Sequence, residues 1–142
     1  MSDTRNIQFV RMGKHDLPTP SRSTHGSAGY DLMSREEVTI WPGQRQLIKV
    51  GFGVKMPEGV CAQVCPRSGM AYKRGITVLN SPGVVDSDYR EEVGVILVNH
   101  GDSEYHVDVG DRIAQLVFMN YFLSSEDHAM AARNGGFGST GV

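Results

Sequence analysis

The shortness of its apolar runs restricts what this chain can fold into more than any other feature. Strand-forming residues recur in stretches of four to nine, at 46–54, 60–64, 76–79, 93–98, 105–109 and 113–118. Glycine or proline interrupts before any run becomes a stable amphipathic helix. Trp41-Pro42-Gly43, Met56-Pro57-Glu58-Gly59, Ser81-Pro82-Gly83 and Val109-Gly110-Asp111 supply the turn chemistry between them. Many short strands closed by such turns predict an all-β sandwich, barrel or jelly roll, with one short helix around 70–74. A length of 142 residues, 39% of them apolar, suffices for one domain with its own core. No internal repeat or linker divides the chain, so 1–142 is read as one unit.

The formal net charge of −2 does not favour a nucleic-acid backbone as the main partner, which normally needs a basic face, although a local basic cleft for a small anion is still allowed. No stretch approaches 18 apolar residues, and the N-terminus lacks the apolar run of a signal peptide. A soluble intracellular, cytoplasmic location is therefore expected, with no membrane partner. Cys61 and Cys65 lie four apart in a strand-like run and make half a zinc site at most, so they are read as buried free thiols. Residues 119–132 mix isolated apolar side chains with Ser124, Ser125, Glu126, Asp127 and His128. Such a segment either hangs free or crosses to another subunit.

Five stretches carry more polar detail than strands require. In the first, Ala28-Gly29-Tyr30-Asp31-Leu32, an acid is enclosed by strand formers; Asp31 there is either a turn cap or a functional carboxylate. The second, Pro66-Arg67-Ser68-Gly69-Met70-Ala71, combines a guanidinium fork, a hydroxyl and a glycine at the start of the expected helix. That suits an anion, although Ser68 alone is also an ordinary N-cap.

In the third stretch, residues 80–89, strand residues enter a turn at Ser81-Pro82-Gly83 and return, which describes a β-hairpin displaying Asn80, Asp86, Asp88 and Tyr89. Backbone groups along such a hairpin can pair with a planar base as an added strand would. Asp86 beside a phosphate ester could take a proton from water; Asp86 and Asp88 could equally be solvated turn acids or touch a metal. The fourth stretch, Gly110-Asp111-Arg112-Ile113-Ala114-Gln115-Leu116, alternates, placing Ile113, Gln115 and Val117 on one face. A glutamine among strand formers needs a partner, and a phosphate oxygen is one choice. The fifth stretch closes the chain as Ala131-Ala132-Arg133-Asn134-Gly135-Gly136-Phe137-Gly138-Ser139-Thr140-Gly141-Val142. Its glycines can approach a phosphate chain closely, Ser139 and Thr140 can donate to it, and Phe137 can lie on a base. It is neither a Walker A loop nor a dinucleotide fingerprint.

In order and spacing, the stretches 28–32, 66–71, 80–89, 110–115 and 135–141 resemble the five motifs of the trimeric deoxyuridine triphosphatases (dUTPases). The resemblance runs from about residue 20 to the end. It implies a homotrimer of distorted jelly-roll subunits in which residues 119–142 form an exchanged C-terminal arm with a glycine-rich lid. It implies hydrolysis of dUTP to dUMP and pyrophosphate, limiting dUTP and supplying dUMP for thymidylate synthesis. By resemblance Asp86 activates the attacking water, and Asn80 with the backbone at Gly83, Val84 and Val85 reads uracil. Tyr89 excludes ribose, while Arg67, Ser68, Gly69 and Gln115 contact the phosphates. Arg133, Phe137, Gly138, Ser139 and Thr140 close over the substrate. The resemblance also implies Mg²⁺, held mostly by substrate and waters, with Asp31 in its outer shell and no direct protein ligand.

Two positions depart from the family pattern. Ala132 stands where the fifth motif has its phosphate-binding arginine, and Arg133 is one residue late. Glu91 replaces a glycine in the Arg-Gly-Glu that usually follows Tyr89, and it is expected to face solvent. Two rival readings share the strands: a nucleotide-fold binding module without chemistry, and the related dCTP deaminases. Asp86 speaks against the first, and the uracil-type third stretch with its closing arm against the second.

Overall fold

The computed structural model describes residues 5–127 and 136–137 of the chain. Their elements are β1 (Gln8–Arg11), β2 (Tyr30–Met33), β3 (Val38–Ile40), β4 (Arg45–Lys49), β5 (Phe52–Lys55), β6 (Val60–Cys65), α1 (Ser68–Arg74), β7 (Ile76–Val78), β8 (Gly83–Val85), β9 (Gly94–Asn99), β10 (Tyr105–Val107) and β11 (Arg112–Asn120). A four-stranded sheet runs β2-β11-β6-β8 and a three-stranded sheet β4-β9-β7; β1-β5 and β10-β3 form two-stranded ribbons. Every pairing is antiparallel. The all-β, jelly-roll-like architecture with one short helix is the one expected. No helix among the described residues is long and apolar enough to cross a membrane.

Strand periodicity builds the interior. In β6, Val60, Ala62 and Val64 are buried while Cys61, Gln63 and Cys65 are half-buried. Leu32 and Leu116 from the four-stranded sheet meet Ile48 and Leu97 from the three-stranded one in a single apolar cluster. Ile40 and Val54 join it from the ribbons. Phe9, Tyr30 and Phe118 pack ring against ring with centroids 5.5–6.0 Å apart, tying β1 to the four-stranded sheet.

Several expectations are corrected. The run 46–54 is not one strand, because it breaks between β4 and β5 at Gly51, which has φ 78°. The alternation assumed for 112–117 slips one place at a bulge between Arg112 and Ala114, so Ile113 is buried together with Ala114 and Leu116. The thiols are free, as expected, but half-buried rather than buried. The largest correction concerns residues 76–85. β7 pairs with β9 in one sheet and β8 with β6 in the other, so this stretch is a crossover and not a hairpin. Burial explains it: Val78 and Val85 both turn into the core, but from opposite sheets. The Ser81–Pro82 peptide within the crossover is cis.

Among the described residues two polar side chains are fully buried, Ser34 and Asn99, and the second links separate elements. Asn99 Nδ2 donates to the carbonyls of Ile40 (2.8 Å) and Ser103 (2.9 Å), and its Oδ1 accepts from Gly101 N–H (2.8 Å). It joins β9, β3 and the following turn. Asn99→Leu removes all three bonds and leaves their partners unpaired in the interior. It is expected to cost about 3 kcal/mol, read as a lower urea midpoint at unchanged m value.

Candidate active site

The crossover frames a cavity of about 250 Å³. Seven of the residues singled out in the sequence line it: Asn80, Gly83, Val84, Val85, Asp86, Tyr89 and Phe137. Among the described residues β8 is the edge strand of its sheet, so one side of its backbone has no ladder partner there and is open to a planar ligand. Val85 is buried beneath it and Val84 is 60% exposed. The lack of a side chain at Gly83 is what lets the Asn80 amide lie close, since a Cβ there would stand 3.3 Å from Asn80 Nδ2. Asp86 is exposed at the cavity wall and also borders a wider depression of about 580 Å³ with Ser87 and Asp88. Tyr89, by contrast, is buried. Gly136, from the fifth stretch, also lines it, and Val64, Val93 and Gly94, which were not singled out, complete the lining; Val64 is marked only by its register opposite Gly83.

A second group of residues meets where β2, β11 and the turn after β6 converge. Gln115 pairs with Asp31 on one side and Cys65 on the other. Its Nε2 donates to Pro66 O at 3.0 Å. Its Oε1 lies where Gly29 would carry a side chain, only 2.2 Å from an ideal Cβ, so this close approach requires glycine. Asp31 Oδ2 accepts from Ser23 Oγ at 2.7 Å and lies 3.9 Å from Arg112 Nη1. Arg67 Nη1 donates to Arg112 O at 3.2 Å. Arg67, not Ser68, occupies the N-cap position of α1, and no side chain caps that end. Three of the five stretches thus meet here, but Arg67, Ser68, Gly69 and Gln115 do not line the cavity.

The chain after Tyr89 is fixed by an ion pair. Arg35 Nε and Nη2 donate to the two Glu92 oxygens at 2.6 and 3.0 Å, and Gly51 N–H donates to Oε2 at 2.7 Å. Burial alone pushes the Glu92 carboxyl up. Hydrogen bonds from Arg35 and Gly51, with the charges of Arg35 and Lys49, outweigh burial and hold it below its ordinary value. The same hydrogen bond to Glu92 raises Arg35. Burial pushes the Cys65 thiol up, keeping it protonated.

A sequence model of the dUTPase family matches residues 15–141. The chain belongs to the dUTPase family. It is 43% identical to the deoxyuridine 5'-triphosphate nucleotidohydrolase of Ehrlichia canis, covering 96% of this chain and 95% of that one. It is 45% identical to that of Rhizobium rhizogenes, covering 99% and 97%. The dUTPase of Staphylococcus bacteriophage 80alpha, solved with dUPNHPP, superposes with a TM-score of 0.77 at 26% identity, covering 98% of this chain and all 100% of that one. Family membership makes the chain a nucleotide hydrolase.

One of the two departures from the dUTPase pattern is visible. Glu91 is exposed, as expected. Phe137 is the only described non-glycine residue with positive φ, so Glu91 stands in ordinary backbone. The close packing here is met from the other side, where a Cβ on Gly53 would stand 2.8 Å from Glu91 O. Ala132, Arg133, Gly138, Ser139 and Thr140 lie outside the described residues. Glu37, His106 and Asp108 bring potential metal ligands within 4.8 Å of one another, but they are exposed on the β10-β3 ribbon.

A carboxylate held below its ordinary value stabilises the fold above its unfolded value and loses that contribution as pH falls through its folded one. Glu92→Gln is therefore expected to lower stability by roughly 2 kcal/mol at pH 7. The gap between variant and parent should shrink below about pH 4.5, the ordinary value for the group, and close in stronger acid. Thermal melts of both proteins across pH 3–8 read this directly.

Proposed function

We propose that the chain hydrolyses dUTP to dUMP and pyrophosphate, limiting dUTP and supplying dUMP for thymidylate synthesis. The observation that carries this reading is the cavity beside β8, shared by the residues expected to hold the nucleoside and by Asp86. The open backbone edge of β8 and the Asn80 amide offer donors and acceptors to uracil. Cytosine presents a donor where uracil presents an acceptor, which leaves those groups unpaired. A thymine methyl meets the β8 backbone, and the Tyr89 ring occupies the space that a 2'-hydroxyl needs.

The triphosphate runs toward Arg67, Ser68, Gly69 and Gln115, with Arg133, Gly138, Ser139 and Thr140 closing from the arm. Asp86 accepts a proton from water as the water oxygen bonds to the α-phosphorus. The bond from that phosphorus to the bridging oxygen breaks, and pyrophosphate leaves. Asp31 beside Arg112 is a half-buried carboxylate next to a basic turn. A single carboxylate fits an outer role only: Asp31 would hold Mg²⁺ through water, and the metal's main oxygen ligands would come from the substrate. When bound, Mg²⁺ neutralises charge on the triphosphate.

The assembly is a homotrimer of single-domain subunits, with residues 119–142 as the arm. Phe137 covers the base and bulk water is excluded. Gly136 and Phe137 lie at the cavity of their own chain in this single subunit. The same surface suits the arm of a second copy.

Pyrophosphate release with dUTP, dCTP, dTTP and UTP, with and without Mg²⁺, tests the reading. We expect kcat/KM for dUTP to exceed the others by at least about 100-fold, and to fall without Mg²⁺. Asp86→Asn is expected to lower kcat by about 1000-fold while dUTP binding stays measurable. Full activity in that variant, or equal turnover of all four nucleotides, would overturn the assignment.

A further inference from the structure

Tyr89 owes its position to groups outside the cavity. Its O–H donates to Glu92 O at 2.8 Å, and its N–H donates to Asp86 O at 3.1 Å. The acceptor residue Glu92 is in turn clamped through its side chain by Arg35, which donates to both carboxylate oxygens. Val93 N–H donates to Phe52 O at 2.9 Å and Val50 N–H to Val93 O at 3.3 Å, so residues 92–93 are stitched to 50–52. Arg35 lies two residues past the end of β2, the strand of Asp31, and its own N–H donates to Lys49 O at 3.0 Å. The chain makes room for this clamp: a Cβ on Gly13 would stand 2.9 Å from Arg35 Cζ. A continuous path therefore runs from the Arg35 guanidinium through Glu92 to the Tyr89 ring and the Asp86 carbonyl.

We propose that Arg35 is a positioning residue for sugar discrimination: by clamping Glu92 it fixes the Tyr89 ring at the depth that admits 2'-deoxyribose and refuses ribose. The inference rests on the reading that Tyr89 meets the sugar. Refusing a single hydroxyl by contact demands a wall that does not yield, and looseness of about an ångström is enough to lose it. A tyrosine whose hydroxyl is bonded to a free loop would give way. One bonded to a residue held by a bidentate ion pair and a backbone N–H does not. On the cavity side Gly136 also closes on the ring, where a Cβ would come 2.6 Å from Tyr89 Cε1.

The test compares kcat/KM for dUTP and UTP, by pyrophosphate release, in the full chain, three single variants and one double variant, with thermal melts alongside. Arg35→Met is expected to lower the dUTP:UTP ratio about tenfold, with kcat for dUTP within about twofold of the parent. Arg35→Lys, which keeps the charge but not the fork, should recover part of the ratio. Tyr89→Phe deletes the link to Glu92 and keeps the ring; it should lower the ratio similarly, and Arg35→Met added to it should lower it no further. An unchanged ratio in Arg35→Met with a reduced melting temperature overturns the proposal and leaves Arg35 as a stabilising residue only. If Arg35→Met does not fold, an unchanged ratio in both Arg35→Lys and Tyr89→Phe overturns it. A parent that turns over UTP as well as dUTP overturns the sugar reading of Tyr89 itself, which separates the two failures.

Discussion

Between Val78 and Gly83 the backbone has to leave one sheet and enter the other, and the candidate site is built on that crossing. β7 is spent on β9 and β8 on β6, so the four residues between them bridge the layers. Two consequences follow from this one constraint. Among the described residues β8 arrives at the end of the β2-β11-β6-β8 order with one backbone edge unpaired, which is a liability on an ordinary surface and a recognition element beside a cavity. At three residues it is also too short to recruit another strand by accident. Asn80, leaving the first sheet, and Asp86, leaving the second, are brought to one cavity by the same passage.

What could be read from the sequence was whatever is local. Alternation in β6 and the glycines of the turns are set by neighbours in the chain, so the strands at 60–64, 76–79 and 105–109 were visible. The five polar stretches were legible as chemistry because their residue types exceed what strands need. Pairing was not legible. Residues 76–89 look the same whether the second strand returns beside the first or crosses to β6, and burial of Val78 and Val85 from opposite sheets decides it. β3 is three residues long with a threonine at its centre, a signal too weak to read without its partner β10. The carboxylate that accepts from Gly51 N–H is 41 residues away, and the Arg35–Glu92 pair is a contact across 57. Neither separation leaves a local trace.

Glu91 shows why a departure from a family pattern has to be judged in space. A glycine is needed where φ is positive or where another chain segment presses on the Cα. At Glu91 the backbone is ordinary and the side chain is exposed, while the pressing contact falls on Gly53. The requirement for a small residue sits on the opposite strand, β5, so the carboxylate at position 91 costs the fold nothing evident. Its neighbour Glu92 is the one with structural obligations, and those are met.

The two groups of site residues make different demands on the rest of the molecule. The cavity beside β8 contains Phe137 and Gly136 of the same chain, whereas the Arg67–Gln115 group meets the carboxylate of Asp31 and not the cavity. A triphosphate spanning both would need something to cover the open side. Exposed apolar residues occur at the end of β11 and just after it: Met119 is 44% exposed, Leu123 64% and Phe122 95%. Leu123 shares the wide depression beside Asp86 with Tyr121, whose O–H lies 3.1 Å from Ser87 Oγ. The segment after β11 is thus already anchored next to the proposed water-activating carboxylate. Exposed apolar side chains grouped beside a site are a place where a partner surface gains by docking. In the assembly proposed above, a second copy of the chain is the partner that meets this surface.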